Sequence, residues 1–109
     1  MALTPAQAAA RLSPQAFTAL LEPFMHRVTL IALRESQART PVRTGTLRRS
    51  ETTRVESGGQ RGYIGTNVVY GPFVHARVPF FQQGIDASRA AIEGELQRLG
   101  EAFVAQVAK

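Results

Sequence analysis

Two long stretches that each carry one apolar stripe at helical spacing, separated by a threonine- and glycine-rich middle with strand-like character, predict an α+β domain. The expected architecture is a long N-terminal helix, a small antiparallel β-sheet with an extended hairpin, and a long C-terminal helix. At 109 residues the chain suits a single core. The expected division is a flexible arm over residues 1–12 and one domain over residues 13–109.

The first twelve residues are rich in alanine, include Pro5 and show no sustained apolar face, which reads as a terminal arm. Ser13-Pro14 is a helix start, because the serine oxygen can accept an orphan backbone N–H and proline at the first helical position gives up a bond it could not make. Phe17, Leu20, Leu21, Phe24, Val28 and Ile31 then fall on one stripe of a helix reaching about Ala38. Pro23 lies inside it and is expected to kink or restart it. Thr40-Pro41 ends the helix, since the residue before a proline is pushed out of the α region.

Thr46 to Glu56 reads as a first strand, Ser57-Gly58-Gly59-Gln60 as a turn and Arg61 to Tyr70 as a second strand, on which Ile64, Thr66, Val68 and Tyr70 share a face. The first strand has one wholly polar face, Arg48, Ser50, Thr52, Arg54 and Glu56, and only Leu47 and Val55 are apolar on the other. Gly71-Pro72 breaks the second strand, and Phe73 to Gly84 reads as an irregular apolar segment. Ile85, Ser88, Ile92, Leu96, Leu99, Phe103 and Val107 keep a helical register to the end of the chain.

Cysteine is absent, which excludes disulfides and thiolate metal sites. No window approaches the ~18 consecutive apolar residues of a membrane span, and residues 1–10 lack the basic and apolar regions of a secretion signal. The chain is therefore expected in the cytoplasm that makes it. Two histidines and a single aspartate are a thin supply for a hydrolytic or metal site. His26 lies off the apolar stripe, where a solvated surface histidine is the ordinary reading. His75 sits beside Phe73 with no spaced partner for metal or general-base work. Gly58, Gly59 and Gly62 lack the flanking strand, helix and lysine of a phosphate loop and read as a hairpin turn. No catalytic residue, cofactor or metal is assigned.

The net charge is +5, and it concentrates in the middle of the chain: from Arg39 to Arg61 six arginines face only Glu51 and Glu56. Arg43, Arg48, Arg49, Arg54 and Arg61 are candidates for a channel lining or a subunit interface. They can sit against phosphates, pair with acidic residues of a neighbour, or form a solvated face. No aromatic residue accompanies them on the first strand, which argues against base stacking.

Taken in order, a long amphipathic helix, Pro41-Val42-Arg43-Thr44-Gly45-Thr46-Leu47-Arg48, a hairpin, Val68-Val69-Tyr70-Gly71, Pro79-Phe80-Phe81 and a closing helix resemble the tail-completion or head-tail joining family of long-tailed phages and prophages. That family shows a Pro-x-x-Thr-Gly-x-Leu-Arg block, a Tyr-Ala-x-x-Val-Glu-x-Gly-Thr block and a Pro-Phe-Leu block. The likeness runs from about residue 14 to 105. Pro41, Thr44, Gly45, Leu47 and Arg48 fit the first block, Tyr70 and Val74 the second, and Pro79 and Phe80 the third. Gly71 and His75 replace the family's alanine and glutamate, and its Gly-Thr is missing.

The resemblance implies a non-catalytic virion subunit that forms a ring with itself, expected to be a hexamer, at the neck. Its neighbours there would be a connector or stopper and a tail terminator or tail-tube protein, with non-specific contact to DNA in the lumen and none to a membrane. Phe73, His75, Arg77 and Phe81 are the candidate docking segment. The rival reading is a small basic protein acting on nucleic acid, either a toxin-like ribonuclease using arginines with Tyr63 or Tyr70, or a DNA-binding accessory protein.

Overall fold

A computed structural model describes residues 3–41 and 45–108. Its elements in chain order are α1 (Pro5–Arg11), α2 (Pro14–Arg39), α3 (Thr46–Ser50), β1 (Thr52–Val55), β2 (Gly62–Gly65), α4 (Gly71–Arg77) and α5 (Phe80–Val107). The class is α+β, with two long helices and one small antiparallel sheet.

α2 begins as its sequence dictates: Ser13 Oγ accepts from Ala16 N at 3.1 Å, and Pro14 occupies the first helical position. The helix continues without a break through Pro23. Both Pro23 and Ala19, whose carbonyl the proline leaves unbonded, are exposed, so water can satisfy that oxygen. α2 and α5 lie antiparallel. Near one end the Phe17 and Phe103 rings stack at 5.3 Å; midway Arg27 Nε donates to Glu95 Oε2 at 3.0 Å; at the other end Gly84 meets the backbone of Ser36. The core of Ala8, Phe24, Val28, Leu99 and Phe103 fills the seam, with Leu20, Leu21, Met25 and Ile92 against it. By length and composition alone α2 could cross a membrane, with an 18-residue window of mean hydropathy 1.3 that the expectation of no span passed over. Its buried residues are Phe24, Val28, Thr29, Ala32 and Ser36.

The middle of the chain differs most from expectation. Thr46 to Ser50, expected as the start of a strand, is helical. Gly45 takes a left-handed φ of 75°, a turn that glycine makes without strain, and the helix it opens buries Leu47. The strands are accordingly four residues each, in the register Thr52↔Gly65, Thr53↔Ile64, Arg54↔Tyr63 and Val55↔Gly62. The turn falls where expected, but it does not project. Gly58 N donates to Glu22 Oε1 at 2.8 Å, and a Cβ on Gly59 would lie 2.7 Å from Glu22 Cα, so the tip is tucked against α2. The hairpin is therefore short rather than extended, and folded onto the body.

Two further segments are helical rather than irregular. Residues 5–11, expected within a flexible arm, form α1. Thr4 and Gln7 complete a capping box, with Thr4 Oγ1 accepting from Gln7 N at 3.2 Å and Gln7 Oε1 accepting from Thr4 N at 3.0 Å. Ala8 is fully buried, and the absence of a side chain at Gly100 lets Pro5 approach α5. The segment from Phe73, expected to be irregular, is α4 running into α5, which starts at Phe80, five residues before its expected register begins. The body measures 55 × 25 × 17 Å.

Candidate functional site

Pro41 and Leu47 of the first block and Tyr70 and Val74 of the second line one groove although they are far apart in the chain. Tyr70 caps α4 in an α-like conformation, and Pro72 supplies a fixed φ in its first turn. Gly71 is buried beneath: a Cβ there would lie 2.8 Å from Thr66 Cγ2, so that side chain would have to shift, and 3.5 Å from Leu47 Cδ1, an ordinary van der Waals contact. Between the two helices a groove of about 530 Å3 is lined by Pro41, Leu47, Tyr70, Phe73, Val74 and Arg77. Leu47 forms its buried floor. Phe73 is 72% exposed and Tyr70 43%, and Val69, next to Tyr70 in the chain, is 87% exposed. Exposed apolar surface grouped in this way, with a cation at its rim, is characteristic of interaction surfaces.

The docking segment divides in two. Phe73 and Arg77 line the groove. His75 and Phe81 turn inward: the His75 ring meets Phe80 edge-on at 5.1 Å and Phe81 at 5.7 Å, and its Nε2 is buried without a hydrogen-bond partner among the described residues. Phe80 is fully buried and Pro79 caps α5, so the third block anchors α4 to the body rather than presenting a surface.

The arginines expected to cluster on the hairpin are distributed over α3, β1 and the residue before β2. Arg48 and Arg49 are on α3, Arg54 is on β1 and Arg61 follows the turn; Arg43 and Thr44 lie outside the described residues. Arg48 is half-buried, and its Nη2 donates to the Thr40 carbonyl at 3.4 Å. Arg49 is exposed beside Gly45. Arg54 is exposed over its cross-strand partner Tyr63, 4.8 Å from the ring centroid, and the Tyr63 hydroxyl donates to Glu56 Oε1 at 2.8 Å. Arg61 is exposed.

One site passed unnoticed in the sequence. Glu51, read as a carboxylate on a polar strand, is only 5% exposed; it accepts from Ser36 Oγ at 2.7 Å and from Thr40 Oγ1. Thr40 Oγ1 also lies 2.8 Å from the Ser36 carbonyl, so its single proton is shared between two acceptors. Gln37 Nε2 donates to the Arg48 carbonyl at 3.2 Å. These bonds fasten α3 and the start of β1 to the last turn of α2, and they set the wall of the groove that carries Leu47. The only forerunner in the sequence is the placement of Ser36, Thr40 and Glu51 around the Pro41 block.

Among the described residues no three histidine, aspartate or glutamate side chains come together to hold a metal ion. The described groove lining offers a phenol and a guanidinium but neither carboxylate nor imidazole. That set can bury an apolar side chain and pair with an acidic one. Comparison with protein-family models, with curated proteins and with solved structures finds no match to the chain.

Proposed function

We propose that this chain is a structural subunit of the neck or tail of a phage-type particle, completing the tail or joining head to tail as one member of a ring around the DNA channel. The supporting observation is the groove. Pro41 and Leu47 from the block resembling the joining family, and Tyr70 from the second, share it with an outward-facing Phe73. These residues converge with apolar neighbours, beside one phenol and one guanidinium. In this reading the subunit pairs with copies of itself, with a hexamer the expected number, and meets a connector or stopper on one side and a tail terminator or tube protein on the other. Exposed Arg54 and Arg61 are available for non-specific contact with DNA. The protein's place is the assembled particle, and the host cytoplasm before that.

Removing the chain from the genome that encodes it, then imaging the lysate by electron microscopy, tests this directly. Filled heads and separate tails are expected; normally joined particles would overturn it. A second reading, action on nucleic acid, draws on one observation, that Tyr70 and Arg77 share a groove. It requires tight binding or cleavage by the isolated protein, weakened by salt and lost on Tyr70→Phe or Arg77→Ala.

A further inference from the structure

Resting on the ring reading, we infer that neighbouring subunits join head to tail, the Val69-Tyr70-Phe73 knob of one copy seating in the groove between α1 and α5 of the next. The receiving groove encloses about 860 Å3 and is lined by Ala9, Leu96, Gly100 and Val104, with Glu93 and Glu101 at its edge. Leu96 is 56% exposed although it falls in the helical register of the core residues, so a large apolar side chain stands uncovered there.

Three observations select a second copy as the occupant. The first is charge: α4 contains no acidic residue and ends on exposed Arg77, whereas both charged residues of the described groove lining, Glu93 and Glu101, are exposed carboxylates. Opposite signs around two apolar patches favour their pairing and disfavour knob-to-knob contact. The second is shape. Tyr70, Phe73 and Val69 are exposed, each of the two rings able to bury on the order of 150–250 Å2, and the receiving groove encloses about 860 Å3. The third is position. α4 leads directly into the start of α5, while the groove lies around residues 93–104; from Phe80 to Leu96 the helix advances about 24 Å at ~1.5 Å per residue. A knob therefore cannot fill its own groove. Contact between unlike surfaces at opposite ends of an elongated body is heterologous, and such contacts close into a ring when the rotation between neighbours allows.

The test uses two full-length variants, Phe73→Asp and Leu96→Arg, each altering a side chain that is more than half exposed and so leaving the fold intact by circular dichroism. Sedimentation velocity is expected to show assembled wild type and self-association weakened roughly tenfold or more in each variant alone. An equimolar mixture is then expected to form a one-to-one dimer, because it retains one intact knob and one intact groove. The exposed charges give an independent pair: Arg77→Glu and Glu101→Arg should each weaken assembly, and combining them in one chain should restore it. If wild type assembles and both apolar variants assemble equally well, the interface is wrong while the ring reading stands. If both are monomeric and stay so when mixed, the contact is not head to tail. A wild type that remains monomeric overturns the ring reading itself.

Discussion

Alanine substitution at two glycines of α5 should move stability in opposite directions. Helix propensity favours alanine over glycine by about 0.8–1 kcal/mol at either position. At Gly94 a new Cβ meets nothing within 4 Å, so Gly94→Ala should stabilise by about 0.5–1 kcal/mol. At Gly84 the Cβ would lie 2.5 Å from Ser36 N and 2.6 Å from Ser36 Cα, backbone atoms of a buried residue that no rotamer change can clear. Spreading two packed helices costs about 1–3 kcal/mol or more, and the propensity gain offsets about 1 kcal/mol of it, leaving a net loss of up to about 2 kcal/mol. The gap between the variants is that steric cost, about 1–3 kcal/mol, which corresponds to roughly 5–20 °C in Tm for a domain of this size. Thermal unfolding followed by circular dichroism measures it, at one low protein concentration so that assembly does not contribute. Equal stability of the two variants would refute the close α2–α5 crossing at Ser36.

Glu51→Ala should destabilise by about 2–3 kcal/mol in urea unfolding, because it strands the buried Ser36 hydroxyl and removes a charged acceptor. Glu56→Gln, which alters a half-buried carboxylate whose bond to Tyr63 is exposed, should change stability by less than about 0.5 kcal/mol. Gly58 and Gly59 both have positive φ, at 93° and 72°, yet only Gly59 lies against the α2 backbone. Gly59→Ala should therefore cost about 1–3 kcal/mol more than Gly58→Ala in the same assay. Nucleic-acid binding titrated from low to moderate salt should show no sequence preference and no cleavage; turnover of RNA that disappears in Tyr70→Phe would restore the rival reading.

The long helices were legible because burial imposes a 3.6-residue period over many turns, as Phe17 to Val28 and Ile92 to Phe103 show, and because Ser13-Pro14 marks a start by local chemistry alone. The turn at residues 57–60 was legible for the same local reason. α1 was missed although Thr4-Pro5 and Gln7 spell a capped helix start, because its buried face is alanine and proline against Gly100, too small to register as an apolar stripe. Thr46 to Ser50 has composition acceptable to a strand; one left-handed glycine and the burial of Leu47 decide for helix. Leu96 kept the core period yet faces outward. Of the candidate site, the chain order showed which blocks stand out but not that Pro41, Leu47, Tyr70 and Phe73 meet. That depends on α3 being a helix and on Glu51 being buried, two facts with no periodic signature.

The central claim, a subunit that works as part of a closed ring, is most directly tested by the mass of the purified protein across a concentration series, with negative-stain images of the same samples. The account predicts one assembled mass, a fixed multiple of 11.9 kDa, and annular particles with an open centre. A monomer at every concentration, or open polymers of continuously growing mass, would contradict it.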